Sequence, residues 1–360
     1  MLSTLKLNPL FRIRFDRAIH CDLLLEGETV EFPSPRFLEL LAAVRSTCSR
    51  EQTLRLAQEK LEVSEHEAAD VIEDLITHHV LVSGDEERPE LPAVKHWVDR
   101  NWLDGLILHL RSKDLKYEDD GAADPRQTND QTFRSLMEAE KLPPFWKEYP
   151  DAQRIQLPPP APFPRNEHLA DVLLRRRSNR PYKVRRISLD VLSRMLTTAN
   201  LETVALRERA EREVESNPGT MLLNSAFSAL ETYVAVYDVV GLAPGLYHYS
   251  PRDRSLVLVK EGSVRQDVQK VCIGQALSAA GACSFLISAA WKRYMYRYRH
   301  PRAYRNLMVN VAELAQKYLV LATAMDLHTF LTPNLLNDEA DRLVGVNGYD
   351  EGILYVVTAG

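Results

Sequence analysis

Apolar positions recur at helical spacing in three stretches near the start of the chain, each opened by a polar residue suited to capping a helix. Ser34 and Pro35 stand where an N-cap and first helical residue belong, ahead of Phe37, Leu38, Leu40, Leu41 and Val44. Ser49 with Gln52, and Ser64 with Glu67, have capping-box spacing, in which hydroxyl and Gln/Glu side chain satisfy each other's orphan backbone N–H groups. The third stretch carries Ala69, Val71, Ile72, Leu75 and Ile76 and leads into an apolar strand, Val80-Leu81-Val82.

With a short strand pair ahead of them, these elements predict a small winged-helix-like module over residues 1–90. In such a module the third helix is the one that enters DNA, yet here it bears Glu65, Glu67, Asp70, Glu73 and Asp74 and no lysine or arginine. A polyanion is repelled along its length, which leaves packing, dimer bracing or peptide docking as its roles. Lys95 to Asp114 reads as one more amphipathic helix with Trp97, Trp102, Leu106 and Leu110 inward, and His96 and His109 as ordinary helix residues. Residues 115–130 are polar and acidic, and Ile155 to Pro164 is a proline-rich run that cannot form a helix or a central strand. Residues 91–164 are therefore expected to be a helical segment and linker, with a domain boundary at 164.

From residue 165 helices alternate with apolar strands. A helix over about 167–176 leads into a basic run, and Ser188 caps the next, with Leu189, Leu192, Met195 and Leu196 on one face. Strands are predicted at Thr232–Tyr237, in a hairpin of Gly245–Tyr249 with Ser255–Val259 turned at Ser250-Pro251-Arg252-Asp253, at Cys283–Ile287 and at Ile353–Val357. A long helix over about 302–325 places Leu307, Val311, Leu314, Tyr318 and Leu321 along one side. The class is α+β: helices around a mainly antiparallel sheet.

Composition narrows the function. Lysine and arginine number 45 against 50 acids, a net charge of -5 that gives no overall field toward nucleic acid or anionic lipid. No stretch approaches the roughly 18 apolar residues of a membrane span and no signal peptide opens the chain, so a cytoplasmic location is expected, with neither nucleic acid nor membrane as partner. Cys21, Cys48, Cys272 and Cys283 form no CxxC pair and neighbour no histidine, so no metal site is expected and the thiols read as reduced interior fillers.

The sharpest local chemistry is Arg175-Arg176-Arg177-Ser178-Asn179-Arg180. Guanidinium groups fork onto phosphate oxygens and stay charged at any working pH, and a serine hydroxyl adds a short donor, so the run suits a terminal phosphate. An R-x-S-x-R segment after an apolar helix resembles the opening of nitroreductase-like flavoproteins. The string Gly241 to Tyr249, GLAPGLYHY, is similar to the hallmark of their SagB-type dehydrogenases, FMN enzymes that oxidise thiazolines and oxazolines in ribosomally made peptides. Arg302-Ala303-Tyr304-Arg305, Leu314-Ala315-Gln316 and the closing Asp350 to Tyr355 resemble further segments of that group; the likeness covers residues about 167 to 360, and the winged-helix front end resembles the N-terminal region of longer members.

The resemblance implies a nitroreductase-like FMN domain, a homodimer, a peptide substrate and a cyclodehydratase complex as partner. Carried over residue by residue, it puts Arg176, Arg177, Ser178 and Arg180 on the FMN phosphate and ribityl chain, and Asn224 with Ser225 at the flavin ring, where Leu222-Leu223-Asn224-Ser225 replaces the usual glycine-rich turn. Family azoline dehydrogenases carry Lys-Tyr shortly before R-A-Y-R, the cation stabilising a tyrosinate base. Here the slot reads Tyr296-Arg297-Tyr298-Arg299-His300-Pro301, so Tyr298 is the implied base and either Arg297 or Arg299 its cation. Lys292 and Tyr294 are rivals for the two roles, and Arg302 and Tyr304 are candidate substrate contacts. Two other functions stay open at this point: NAD(P)H-driven reduction of an activated double bond, quinone or nitro group, and a non-catalytic peptide-docking or scaffold role.

Overall fold

The computed structural model describes residues 2–44, 46–113, 115, 121–160, 163, 168–178, 180–183, 186–216 and 228–360. Contacts divide the chain into two units, Met1–Lys116 and Tyr117–Gly360.

The first unit runs β1 (Thr4–Leu7), β2 (Phe11–Phe15), β3 (Ile19–Leu23), β4 (Glu28–Phe32), α1 (Arg36–Ala43), β5 (Cys48–Ser49), α2 (Arg50–Leu61), α3 (Glu65–Thr77), β6 (Leu81–Ser83), α4 (Leu91–Val98) and α5 (Leu103–Arg111). Strands β2, β3 and β4 form an antiparallel meander, and β1 pairs antiparallel with both β5 and β6. Both capping boxes are present: Ser49 with Gln52 opens α2, and Ser64 with Glu67 opens α3. Leu5, Leu23, Leu40, Ala57, Ile72 and Leu81 bring strands and helices into one core. The helix expected over 95–114 is two helices, because Asn101 takes a left-handed φ of 59° and breaks the ladder. The break turns Trp102 out to 62% exposure, while Leu106 stays buried against Leu10 and Leu24. α4 and α5 thus belong to the first unit.

The second unit contains α6 (Pro125–Ala139), β7 (Arg154–Gln156), α7 (Leu169–Arg175), β8 (Ile187–Ser188), α8 (Leu189–Ala199), α9 (Leu201–Ser216), β9 (Leu230–Val236), β10 (Val239–Val240), β11 (Gly245–Ser250), β12 (Ser255–Glu261) and α10 (Arg265–Val271). It continues with β13 (Cys283–Ala290), α11 (Trp291–Arg297), α12 (Arg302–Ala324), β14 (Thr329–Thr332), α13 (Asn337–Val344) and β15 (Glu351–Ala359). Seven strands form one sheet in the order β14-β15-β13-β9-β11-β12-β7, every pair antiparallel. The proline-rich stretch begins as its edge strand, because Ile155 pairs with Leu256 before Pro158 removes the next donor. That docking ties β7 into the second unit.

Period-two alternation builds a core on each face of the sheet. Val234 and Val236 of β9 and Phe285 and Ile287 of β13 meet Leu192, Met195 and Leu196 of α8 and Leu307, Val311, Leu314 and Tyr318 of α12. Tyr233, Ala235 and Leu286 face the opposite way, onto Val268 and Val271 of α10 and Ala340 and Val344 of α13. Phe285 and Tyr318 stack with ring centroids 4.2 Å apart.

Candidate functional site

The basic run follows α7, where Ser178 forms a parallel bridge with Thr329 at the start of β14. A cavity of about 140 Å³ is lined there by Arg175, Arg177, Arg180, Lys183, Asp326 and His328, among others. Arg176 turns aside and donates to Ser178 Oγ at 2.9 Å, and Arg175 pairs with Asp326 at 3.1 Å. The Thr329 hydroxyl is buried and makes no hydrogen bond. The three guanidiniums and the ammonium on the cavity wall form a donor set that fits a phosphate. Of the four proposed phosphate residues, Arg177 and Arg180 line the cavity, while Arg176 and Ser178 are bound to each other; Arg175, Lys183 and His328 are additions. Asn224 and Ser225 lie outside the described residues.

The tyrosine slot is the second centre. β13 ends at Ala290, and Trp291 opens α11 by donating its backbone N–H to Asp350 O and its indole N–H to Gly348 O, both at 2.9 Å. Tyr294 and Tyr298 follow one turn apart, with ring centroids 4.8 Å apart. Both line two cavities: about 490 Å³ between α9 and α12, bordered by Thr203, Leu206, Asn306 and Asn310, and about 1080 Å³ bordered by Trp291, Met295, His300, Tyr304 and Tyr349. The tyrosine pair, with Leu307, is common to the two walls.

The geometry separates the candidate cations. Arg297 lies over the Tyr298 ring, 5.6 Å from its centroid. Arg299 instead pairs with Glu140 and lies over Tyr296, and Lys292 pairs with Asp350 at 2.6 Å. Burial, with the neighbouring Tyr298 and Glu313 adding to it, pushes the Tyr294 phenol up to about 12, which keeps it protonated near neutral pH. Burial, Arg302 and Arg297 hold the His300 imidazole below its ordinary value. Tyr304 lies near-parallel to Trp291 at 6.3 Å and lines the larger cavity; Arg302, at the same helix start, does not line it.

The sequence does not announce a buried polar cluster beneath α11. Glu231 on β9 accepts from Arg207 of α9 at 3.1 Å, from Arg293 of α11, and from His248 Nε2 of β11 at 3.0 Å. Beside it, Glu351 accepts from Lys147 and Ser288 at 2.6 Å and from Tyr233 at 2.8 Å. Burial alone would raise the Glu231 carboxyl, but Arg207 and Arg293 outweigh it and hold it well below the usual carboxylate range. The one available signal was a glutamate inside a strand otherwise fit for the core.

The cluster takes one residue, His248, from the GLAPGLYHY string. Gly241 sits at φ +83°, and a Cβ on Gly245 would meet Lys260 O at 2.9 Å, so both positions require glycine. Tyr247 donates back to Ala243 O at 2.8 Å, His248 reaches Glu231 and Tyr249 enters the core.

Comparison with known proteins agrees with this architecture. Residues 173–360 match the nitroreductase family. Over 99% of its length the chain is also 32% identical to the whole of the trifolitoxin operon protein TfxC of Rhizobium leguminosarum bv. trifolii. The chain belongs to the nitroreductase family. It is 26% identical to the trifolitoxin-processing protein TfxB of the same organism, over 41% of each chain. A crystal structure from Anabaena variabilis, of a protein assigned as a nitroreductase, overlaps 59% of this chain and 42% of its own at 23% identity and a TM-score of 0.48. The family assignment makes the second unit a nitroreductase-like oxidoreductase domain preceded by a separate small sheet-and-helix domain. Among the described residues no helix is long and apolar enough to cross a membrane.

Proposed function

We propose that this protein is an FMN-dependent dehydrogenase of the SagB type, which oxidises a thiazoline or oxazoline ring in a ribosomally made peptide to the aromatic azole. The observation that carries the reading is Tyr298, with the Arg297 guanidinium over its ring, in the wall shared by two cavities. The full-length likeness to a trifolitoxin operon protein supports a peptide natural product as the setting.

FMN, when bound, supplies the two-electron acceptor for the hydride. Arg175, Arg177, Arg180 and Lys183 would hold its phosphate. Tyr298 takes the ring proton, and Arg297 holds a fixed positive charge over its ring. Tyr294, kept protonated, stands beside it and donates its hydroxyl proton to Asn310 Oδ1 at 3.4 Å. A cavity of about 1080 Å³ exceeds what one five-membered ring needs and has room for flanking peptide. A second copy of the chain completes the site, and a cyclodehydratase supplies the azoline.

The test is an absorption spectrum of the purified protein, identification of the released flavin, and incubation with an azoline peptide. Loss of two hydrogens from the peptide supports the reading. Rapid NAD(P)H consumption without peptide, and no change in the azoline, overturns it in favour of a reductase.

A further inference from the structure

α11 has seven residues, far fewer than the roughly 12 to 15 an isolated helix needs, and no side chain caps its start. Its orientation therefore comes from what its side chains grip. Arg293, 5% exposed, is its deepest charged residue: Nε donates to Pro144 O at 2.9 Å and the fork reaches Glu231. One turn on, Tyr296 donates to Glu140 O at 3.2 Å, so the segment from Glu140 to Pro144 grips the same helix twice. Glu231 is itself fixed by Arg207 and His248, and Arg207 also donates to Ser228 O and Leu230 O, at the rim of the smaller cavity.

On a helix, Arg293 and Tyr294 point about 100° apart, so fixing one direction fixes the other. Tyr298, one turn beyond Tyr294, follows. We infer that Arg293 and Glu231 are positioning residues for the reaction: their buried ion pair sets the rotation of α11 and so holds Tyr294 and Tyr298 in the partition between the two cavities. This rests on the dehydrogenase reading for its kinetic consequence, though not for its structural one.

The substitution Arg293→Lys keeps the charge and loses the fork, and Glu231→Gln keeps the shape and loses the charge. In each, kcat on an azoline peptide falls on the order of 10- to 100-fold, while KM and bound flavin stay within about twofold. In a Tyr298→Phe background the same changes have little further effect, because the group they position is already gone. Loss of flavin or a raised KM in step with kcat, or full additivity with Tyr298→Phe, overturns the inference. Failure of both single variants to fold also counts against it, by making the cluster a determinant of folding alone.

Hydrogen exchange of the α11 amides supplies a readout without substrate. Exchange at 291–298 accelerates about tenfold or more in Arg293→Lys while β13 is unchanged. Unaltered exchange sinks the anchor whatever the enzyme oxidises, and altered exchange in a protein inert to azolines sinks only the dehydrogenase reading.

Discussion

Asp350 holds Lys292 in an ion pair at 2.6 Å, so the one lysine among the candidates at the tyrosine slot spends its charge on a neighbouring carboxylate. Both partners are solvent-exposed, and such pairs contribute little. Lys292→Ala should leave the melting temperature within about 2 °C and peptide turnover within about threefold. Arg297→Ala should lower turnover about tenfold or more. Equal losses in parallel steady-state assays would reverse the assignment of the cation.

Tyr298→Phe removes the proposed base and leaves the phosphate donors untouched. Turnover should fall on the order of 100-fold with the flavin content of the purified protein unchanged. Tyr294→Phe should cost less, because its phenol is held protonated and offers only a hydrogen bond. Both are read from initial rates at saturating peptide.

Phosphate binding is tested away from the tyrosines. Arg177→Ala and Arg180→Ala should each raise the FMN dissociation constant roughly 10- to 100-fold, the scale of one charge-assisted hydrogen bond. Flavin fluorescence on titration measures it. Riboflavin, which lacks the phosphate, should bind all three proteins alike.

The buried carboxylate has a pH signature. Because Arg207 and Arg293 hold Glu231 below its ordinary value of 4.5, its ionised form stabilises the fold above that value. The contribution diminishes as pH falls below about 4.5 toward the depressed folded value. Glu231→Gln should therefore be less stable than the parent at pH 7, by about 3 kcal/mol if the unpaired guanidiniums stay buried, and the gap should narrow in acid. Urea unfolding at several pH values gives both quantities.

The sequence disclosed what repeats or caps. Ser49, Ser64 and Ser188 opened helices where expected, and the strand pattern of β9, β11, β12, β13 and β15 was readable because alternation follows burial. The break at Asn101 was hidden, since a left-handed residue leaves the apolar spacing on either side intact. Helices α6 and α9 were missed in stretches too polar to show a stripe. At the site, neighbours along the chain, such as Arg297 and Tyr298, were legible. Partners from distant segments were not: Lys147 meets Glu351, and Arg293 meets Glu231, and no local pattern marks either pair.

The shared wall constrains how this protein can change its substrate. A replacement at Tyr294, Tyr298 or Leu307 reshapes both chambers at once, so adaptation on one side disturbs the other. Residues that border a single chamber, Tyr349 on one side and Leu206 on the other, escape that bind. Selectivity can drift at such places while the chemistry at the partition stays as it is.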